Sequence, residues 1–189
     1  MPCIALTGGM GNGKSAAVSA FAELGVKTLD ADMLAHLALD NDATVQAQVS
    51  DLLGADVFKD GKAQRKEIAK KVFANKNLLQ ALENILHPVV ENMWKSQVKD
   101  GELLIVEVPL LFEKNLEKKF DLCISVYCSN ELRMERLKRR GMSESEIHLR
   151  DTFQIRPEKK ASLADIVLFN ESTTDFLKAQ VRKIVSRLI

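Results

Sequence analysis

The segment Gly8-Gly9-Met10-Gly11-Asn12-Gly13-Lys14-Ser15 fits the pattern G-x-x-x-x-G-K-[ST] in full, and the apolar run Cys3-Ile4-Ala5-Leu6-Thr7 leads directly into it. Motif and context together commit the start of the chain to a strand, a glycine-rich loop and a helix. In that arrangement the loop's backbone N–H groups converge on one spot, where Lys14 adds a full charge and the helix N-terminus a partial one. Such a spot binds nucleotide phosphates. Gly11 and Gly13 supply the backbone freedom that the wrap requires, and the Ser15 hydroxyl stands where loops of this type hold Mg²⁺. The predicted nucleotide contacts are Gly9-Met10-Gly11-Asn12-Gly13-Lys14-Ser15-Ala16.

Five short runs rich in Val, Ile and Leu recur around residues 3–7, 26–30, 103–108, 121–128 and 165–170, separated by segments with helical spacing. Buried strands alternating with helices predict an α/β fold, a doubly wound five-stranded parallel sheet of the P-loop type with ligands at the strands' carboxyl ends. The second strand is expected beside the first. The first helix spans about 15–24, with Val18, Phe21 and Leu24 inward and Gly25 as its stop. A chain of 189 residues suits a single domain with an insertion. Its formal net charge of +1 excludes a global basic field, so no nucleic-acid partner is expected. There is no charged leader with a long apolar core, and no apolar stretch near the roughly 18 residues that span a bilayer, so a soluble cytoplasmic protein is expected. Cys3, Cys123 and Cys128 fall in predicted strands, and neither number nor spacing suggests disulfides or zinc.

Between the second and third strands lie about 70 residues, against the 10 to 15 that a simple crossover requires. This insertion reads as mostly helical. Val45, Val49, Leu52 and Leu53 mark a helix ending at Gly54; Asp60-Gly61 is a turn; another helix starts near Arg65. Leu78, Leu79, Leu82, Ile85 and Leu86 form a stripe up to His87-Pro88, where proline is expected to break or kink the helix before Val89, Met93 and Trp94 continue it. Downstream, Ser129 caps a helix with a basic end at Lys138, Arg139 and Arg140, and Ser143-x-x-Glu146 is a capping box opening a second one. The arginine-studded hairpin has the character of a lid. A final helix from about Thr174 repeats Leu177, Val181, Ile184, Val185 and Leu188 on one face. The expected division is a nucleotide-binding core over 1–40, 101–135 and 160–189, a helical acceptor subdomain over 41–100, and a lid over 136–158.

Leu29-Asp30-Ala31-Asp32 puts two carboxylates at the carboxyl end of the second strand. A carboxylate there either caps the next helix or accepts the proton of an attacking hydroxyl, with Asp32 the first choice as base and Asp30 the second. Leu103-Leu104-Ile105-Val106-Glu107 resembles a Walker B strand whose acid, Glu107, orients a magnesium-bound water. Glu113 follows at the cleft floor, facing either the acceptor or an arginine. Arg136, Arg139, Arg140 and Arg150 are candidates for closing on the phosphates, although basic residues at a helix C-terminus also favour its dipole without any ligand. By pattern His87 reads as a structural group at a helix break, and Trp94 as core.

Added to the loop, Asp30-Ala31-Asp32, Leu86-His87-Pro88, Val108-Pro109-Leu110-Leu111-Phe112-Glu113 and Ala164-Asp165 through Asn170 resemble, in order and spacing, the dephospho-coenzyme A kinase family. That resemblance implies transfer of the γ-phosphate of ATP, with Mg²⁺, to the ribose 3′-hydroxyl of dephospho-CoA. It implies Asp32 as base, Lys14 and the loop amides on the β- and γ-phosphates, Ser15 as the metal ligand, and Arg140 as the lid arginine. Asp30, Arg65, His87 and Glu113 fall at positions on the acceptor side. Three departures stand out: Ala16 where threonine is common, a short lid turn at Arg140-Gly141-Met142-Ser143, and Phe169-Asn170-Glu171-Ser172 in place of an asparagine-glycine ending near the adenine. Fold and loop alone also admit a kinase for a nucleoside, nucleotide or shikimate, against which the insertion weighs. A nucleotide-dependent switch is disfavoured, since Asn75-Lys76-Asn77-Leu78 lacks the aspartate of the guanine motif.

Overall fold

In the computed structural model, which describes residues 2–188, the chain begins β1 (Cys3–Gly8), α1 (Lys14–Glu23), β2 (Lys27–Asp30), α2 (Ala31–Asn41) and α3 (Ala43–Leu53). It continues through β3 (Phe58–Lys59), β4 (Lys62–Ala63), α4 (Arg65–Phe73), α5 (Lys76–Lys95), β5 (Leu104–Glu107) and β6 (Leu122–Tyr127). The remainder is α6 (Asn130–Arg139), α7 (Glu144–Asp151), α8 (Pro157–Leu163), β7 (Ile166–Phe169) and α9 (Thr174–Leu188). Two compact units result: one runs to Leu29 and resumes at Val98, the other is Asp30–Gln97.

The five expected strands form one sheet in the order β2-β5-β1-β6-β7. β1 pairs in parallel with β5 (Ile4 opposite Ile105) and with β6 (Ala5 opposite Cys123), and β6 pairs in parallel with β7. β2 is therefore not the neighbour of β1; β5 lies between them. Composition explains the exchange. Leu104, Ile105 and Val106 are fully covered in the inner position, whereas the polar run Lys27-Thr28-Leu29-Asp30 is only partly buried and takes the edge. One core cluster joins Ile4, Leu6, Ile105, Ile124 and Val126 of the sheet to Phe21 of α1 and Leu177 and Val181 of α9. All three cysteines are buried thiols.

The second unit is the insertion, mostly helical as its spacing indicates, with its own core of Leu39, Val45, Val49, Leu53, Val57, Ile68, Val72 and Leu82. Two features differ from expectation. Residues 58–63 form a two-stranded ribbon around Asp60-Gly61, with Phe58 opposite Ala63 and Lys59 opposite Lys62, strands too short to leave a period-two pattern. And α5 runs unbroken through Pro88. Proline costs a helix interior about 3 kcal/mol. Leu82 is buried in the same core, and Ile85 and Leu86 before the proline and Val89 and Met93 after it pack partly buried against it, so apolar burial on both sides of Pro88 offsets that cost.

In the first unit, Ser129 caps α6, and Ser143 with Glu146 closes a complete capping box on α7. The Ser143 N–H and hydroxyl hold the Glu146 carboxyl below its usual range. α8, begun by Pro157 in its first turn, is a short helix that the hydrophobic pattern did not mark. At the sheet's edge, Gln180 of α9 occupies both polar groups of one β7 residue: Phe169 N–H donates to Oε1 at 3.0 Å, and Nε2 donates to Phe169 O at 2.8 Å. Replacing Gln180 with Leu leaves both groups to water. The expected loss is about 1–2 kcal/mol of unfolding free energy, read as a lower urea midpoint with unchanged slope; an unchanged midpoint would show that the clamp adds nothing.

Candidate functional site

The six residues of β1 are all buried and deliver the loop at the sheet's carboxyl edge, and α1 begins at Lys14. Gly11 and Gly13 carry positive φ of 84° and 94°, backbone that other residues enter only with strain. The Lys14 ammonium lies 4.0 Å from Glu107 Oε1, both side chains being mostly covered, so the acid that ends β5 stands at the loop. Ser15 and Ala16 are exposed in the first turn of α1. Gly9 is buried and Met10 partly so.

Behind the loop, Asn12 Nδ2 donates to Val126 O at 3.0 Å, and Asn12 O accepts from Asn170 Nδ2 at 2.9 Å. Asn170 O in turn accepts from Arg136 Nη2 at 2.9 Å. Gly13, Ala16, Arg136, Arg139, Arg140 and Asn170 share the lining of a cleft of about 360 Å³, within the size range of small-molecule sites. Arg136 Nη1 is buried there without a hydrogen-bond partner. Beside it, burial pushes the Cys128 thiol pKa up, partly offset by the Arg136 guanidinium. A buried guanidinium N–H with no acceptor is costly unless a ligand supplies one. Arg139 and Arg140 are exposed at the C-terminal end of α6, and Arg150 is exposed in the last turn of α7.

Glu113 is held inside the first unit. Its Oε1 accepts from the Ile155 N–H at 2.8 Å and faces Lys160 Nζ at 2.8 Å, while Oε2 is buried without a partner. Lys160 is fully buried and also donates to Pro109 O at 2.6 Å, a carbonyl that accepts from Thr7 Oγ1 at 3.3 Å as well. One node thus joins β1, the segment after β5, the segment between α7 and α8, and α8 itself. Nothing in the sequence pattern singled out Lys160, because a lysine in a short polar helix normally faces water. Arg133 is similar: 5% exposed, it is bound by both oxygens of Asp151 and by Asn130 Oδ1, tying α6 to α7.

Asp30, Asp32, Arg65 and His87 belong to the second unit. Asp30 is the N-cap of α2, its Oδ1 accepting from the N–H groups of Asp32 and Met33 at 2.8 and 3.1 Å. Asp32 is exposed in that helix's first turn. Arg65 opens α4 and pairs with Asp40 at 2.6 Å; the Ala63 N–H, with Arg65 and Lys62, holds the Asp40 carboxyl below its usual range. His87 is partly buried in α5 directly before Pro88.

The sequence model of a family described as dephospho-CoA kinase matches residues 2–175. A dephospho-CoA kinase from Protochlamydia amoebophila is 36% identical over 193 residues, covering 98% of this chain and 95% of that protein. A crystal structure of a Thermus thermophilus protein superposes with a TM-score of 0.86 at 29% identity, covering 99% of this chain and 97% of that one. Dephospho-CoA kinase from Campylobacter jejuni gives a TM-score of 0.74 at 26% identity, covering 98% and 96%.

The Lys160–Glu113 node can be tested without reference to any ligand. Lys160→Met strands a carboxylate beside an apolar side chain and should destabilise the fold by about 3–5 kcal/mol, as breaking one partner of a buried pair does. Adding Glu113→Gln should recover a large part of that loss. Denaturant unfolding of both single variants and the double variant measures the coupling; strictly additive losses would mean that the pair does not interact.

Proposed function

The chain belongs to the dephospho-CoA kinase family, and with that as premise we propose that it phosphorylates the ribose 3′-hydroxyl of dephospho-CoA from ATP, giving coenzyme A and ADP. The observation that carries the reading is a family match over residues 2–175, which takes in the phosphate loop, the insertion and the arginine-bearing hairpin. Lys14 and the loop amides hold the β- and γ-phosphates. Asp32 accepts the hydroxyl proton as that oxygen attacks the γ-phosphorus, and the β–γ bridging oxygen leaves with ADP. The use of Asp30 Oδ1 as a helix cap supports Asp32 as the base. Arg140 neutralises charge on the equatorial oxygens, a role worth about 10³–10⁵ in rate in related chemistry. The buried, unpartnered Nη1 of Arg136 supports seating a charged part of the nucleotide in the cleft beside Gly13 and Ala16.

Ser15, with Glu107 through water, would hold Mg²⁺. Among the described residues no three His, Cys, Asp or Glu side chains cluster as a metal cage, which suits an ion bound mainly through substrate phosphates and water. Bound there, the ion offsets charge on the β- and γ-oxygens. On the same reading residues 41–100 form the acceptor subdomain, which carries Arg65 and His87; Asp30 and Glu113 are the other two residues at acceptor-side family positions, and residues 136–158 form the lid. No helix among the described residues is long and apolar enough to cross a membrane, and diffusible nucleotide and CoA-type substrates suit a cytoplasmic enzyme.

Asp32→Asn should lower kcat by about 10²–10⁴-fold while ATP affinity changes little; steady-state kinetics paired with ATP titration would remove Asp32 as the base if turnover stayed near normal. Lys14→Ala should weaken ADP and ATP binding by about 10- to 100-fold and slow transfer with it, the size expected for one charge-assisted hydrogen bond. Preference for a nucleoside or nucleoside monophosphate over dephospho-CoA in a phosphate-transfer screen would overturn the acceptor assignment.

A further inference from the structure

A phosphate-binding loop has no hydrogen-bond ladder of its own, so its peptides are aimed by whatever grips them from behind. The Asn12–Gly13 peptide is gripped at its carbonyl by Asn170 Nδ2 at 2.9 Å, in a buried contact. Residue 12 is also anchored through its side chain, whose Nδ2 donates to Val126 O at 3.0 Å. Asn170 is itself immobilised: it is 8% exposed, and its own N–H donates to Tyr127 O at 2.8 Å. In a planar trans peptide the C=O and the following N–H point to opposite sides. Holding Asn12 O against Asn170 therefore turns the Gly13 N–H away from β7. The approach is so close that a Cβ at Gly13 would stand 1.9 Å from Asn170 Nδ2. The carbonyl of the same asparagine fixes Arg136 Nη2 at 2.9 Å on the cleft that Gly13 and Ala16 also line.

We propose that Asn170 is a positioning residue for the phosphoryl donor: through Asn12 O it aims the Gly13 N–H at the donor's phosphates, and through its own carbonyl it holds Arg136 beside them. This rests on the donor site proposed above. The device acts on the phosphate chain through the loop, so its effect is independent of which base the nucleotide carries.

Two variants separate this role from its rivals. Asn170→Ala removes the grip, and Asn170→Asp keeps the shape but sets a carboxylate oxygen against Asn12 O. The dissociation constant of ADP, by calorimetric titration, should rise about 10-fold in the first and further in the second, as expected for losing a buried hydrogen bond and then opposing two acceptors. KM for ATP should rise in parallel, with kcat and KM for dephospho-CoA within about threefold of wild type. With ATP and CTP as alternative donors, kcat/KM should fall by the same factor for both. A fall confined to ATP would make Asn170 a base contact and overturn the proposal, as would unchanged ADP affinity in folded variants. Thermal unfolding with and without ADP gives a further check. A residue that only supports the fold lowers both midpoints and leaves the ADP-induced shift intact, which would also overturn the proposal, whereas a positioning residue shrinks that shift. If the wild-type protein transferred no phosphate to dephospho-CoA, the function above would fail while the ADP titrations still decided the role of Asn170.

Discussion

The shape of the phosphate loop depends on β1 being an inner strand. Because β5 lies on one side of it and β6 on the other, the loop emerges between two carboxyl ends and is supplied from both. From β5 comes Glu107, within 4.0 Å of Lys14; from β6 and the end of β7 come Val126 O and Asn170, which grip Asn12 from behind. An edge strand could draw such contacts from one side only. The buried apolar runs of β1, β5 and β6 thus do more than build a core: they determine which polar groups meet at the loop.

Buried charge plays a second, subtler part. Lys160 and Glu113 are both removed from water, and their attraction offsets little more than the cost of desolvating them. What such a pair supplies is location. Lys160 holds Pro109 O, Glu113 holds the Ile155 N–H, and Thr7 shares the Pro109 carbonyl, so the segment after β5 and the segment between α7 and α8 have fixed positions beside β1. Arg133 does the same for α6 and α7 through Asp151. The arginines toward the end of the hairpin, Arg139, Arg140 and Arg150, stay exposed, anchored by a scaffold rather than buried in it.

Much of this was legible in the sequence where a local rule has one outcome. The strand, loop and helix around Lys14, the capping box at Ser143 and Glu146, the apolar stripe of α9 and the helical character of the insertion all follow from spacing within a few residues. Legibility ended where partners are distant in the chain. The unbroken path of α5 through Pro88 rests on burial across the helix, the exchange of β2 for β5 beside β1 on a comparison of two runs about 70 residues apart. Asp30 shows the boundary within one residue: a carboxylate before a helix was readable as cap or base, and only hydrogen-bond geometry gave it to the cap.

By itself the sequence determined that a phosphate-loop motif ending in Lys14-Ser15 joins a strand to a helix, that five strands form a parallel sheet, and, through motifs in a specific order, the family to which the chain belongs. These depend on period, spacing and residue type, which are properties of short stretches. The tertiary structure alone decided strand order, the burial of Lys160 and Arg133, and the joining of Asn12, Val126, Asn170 and Arg136 behind the loop. The reason is that a hydrogen bond between residues 12 and 170 leaves no periodic trace in either segment; it exists only once the sheet has brought their strands' carboxyl ends together.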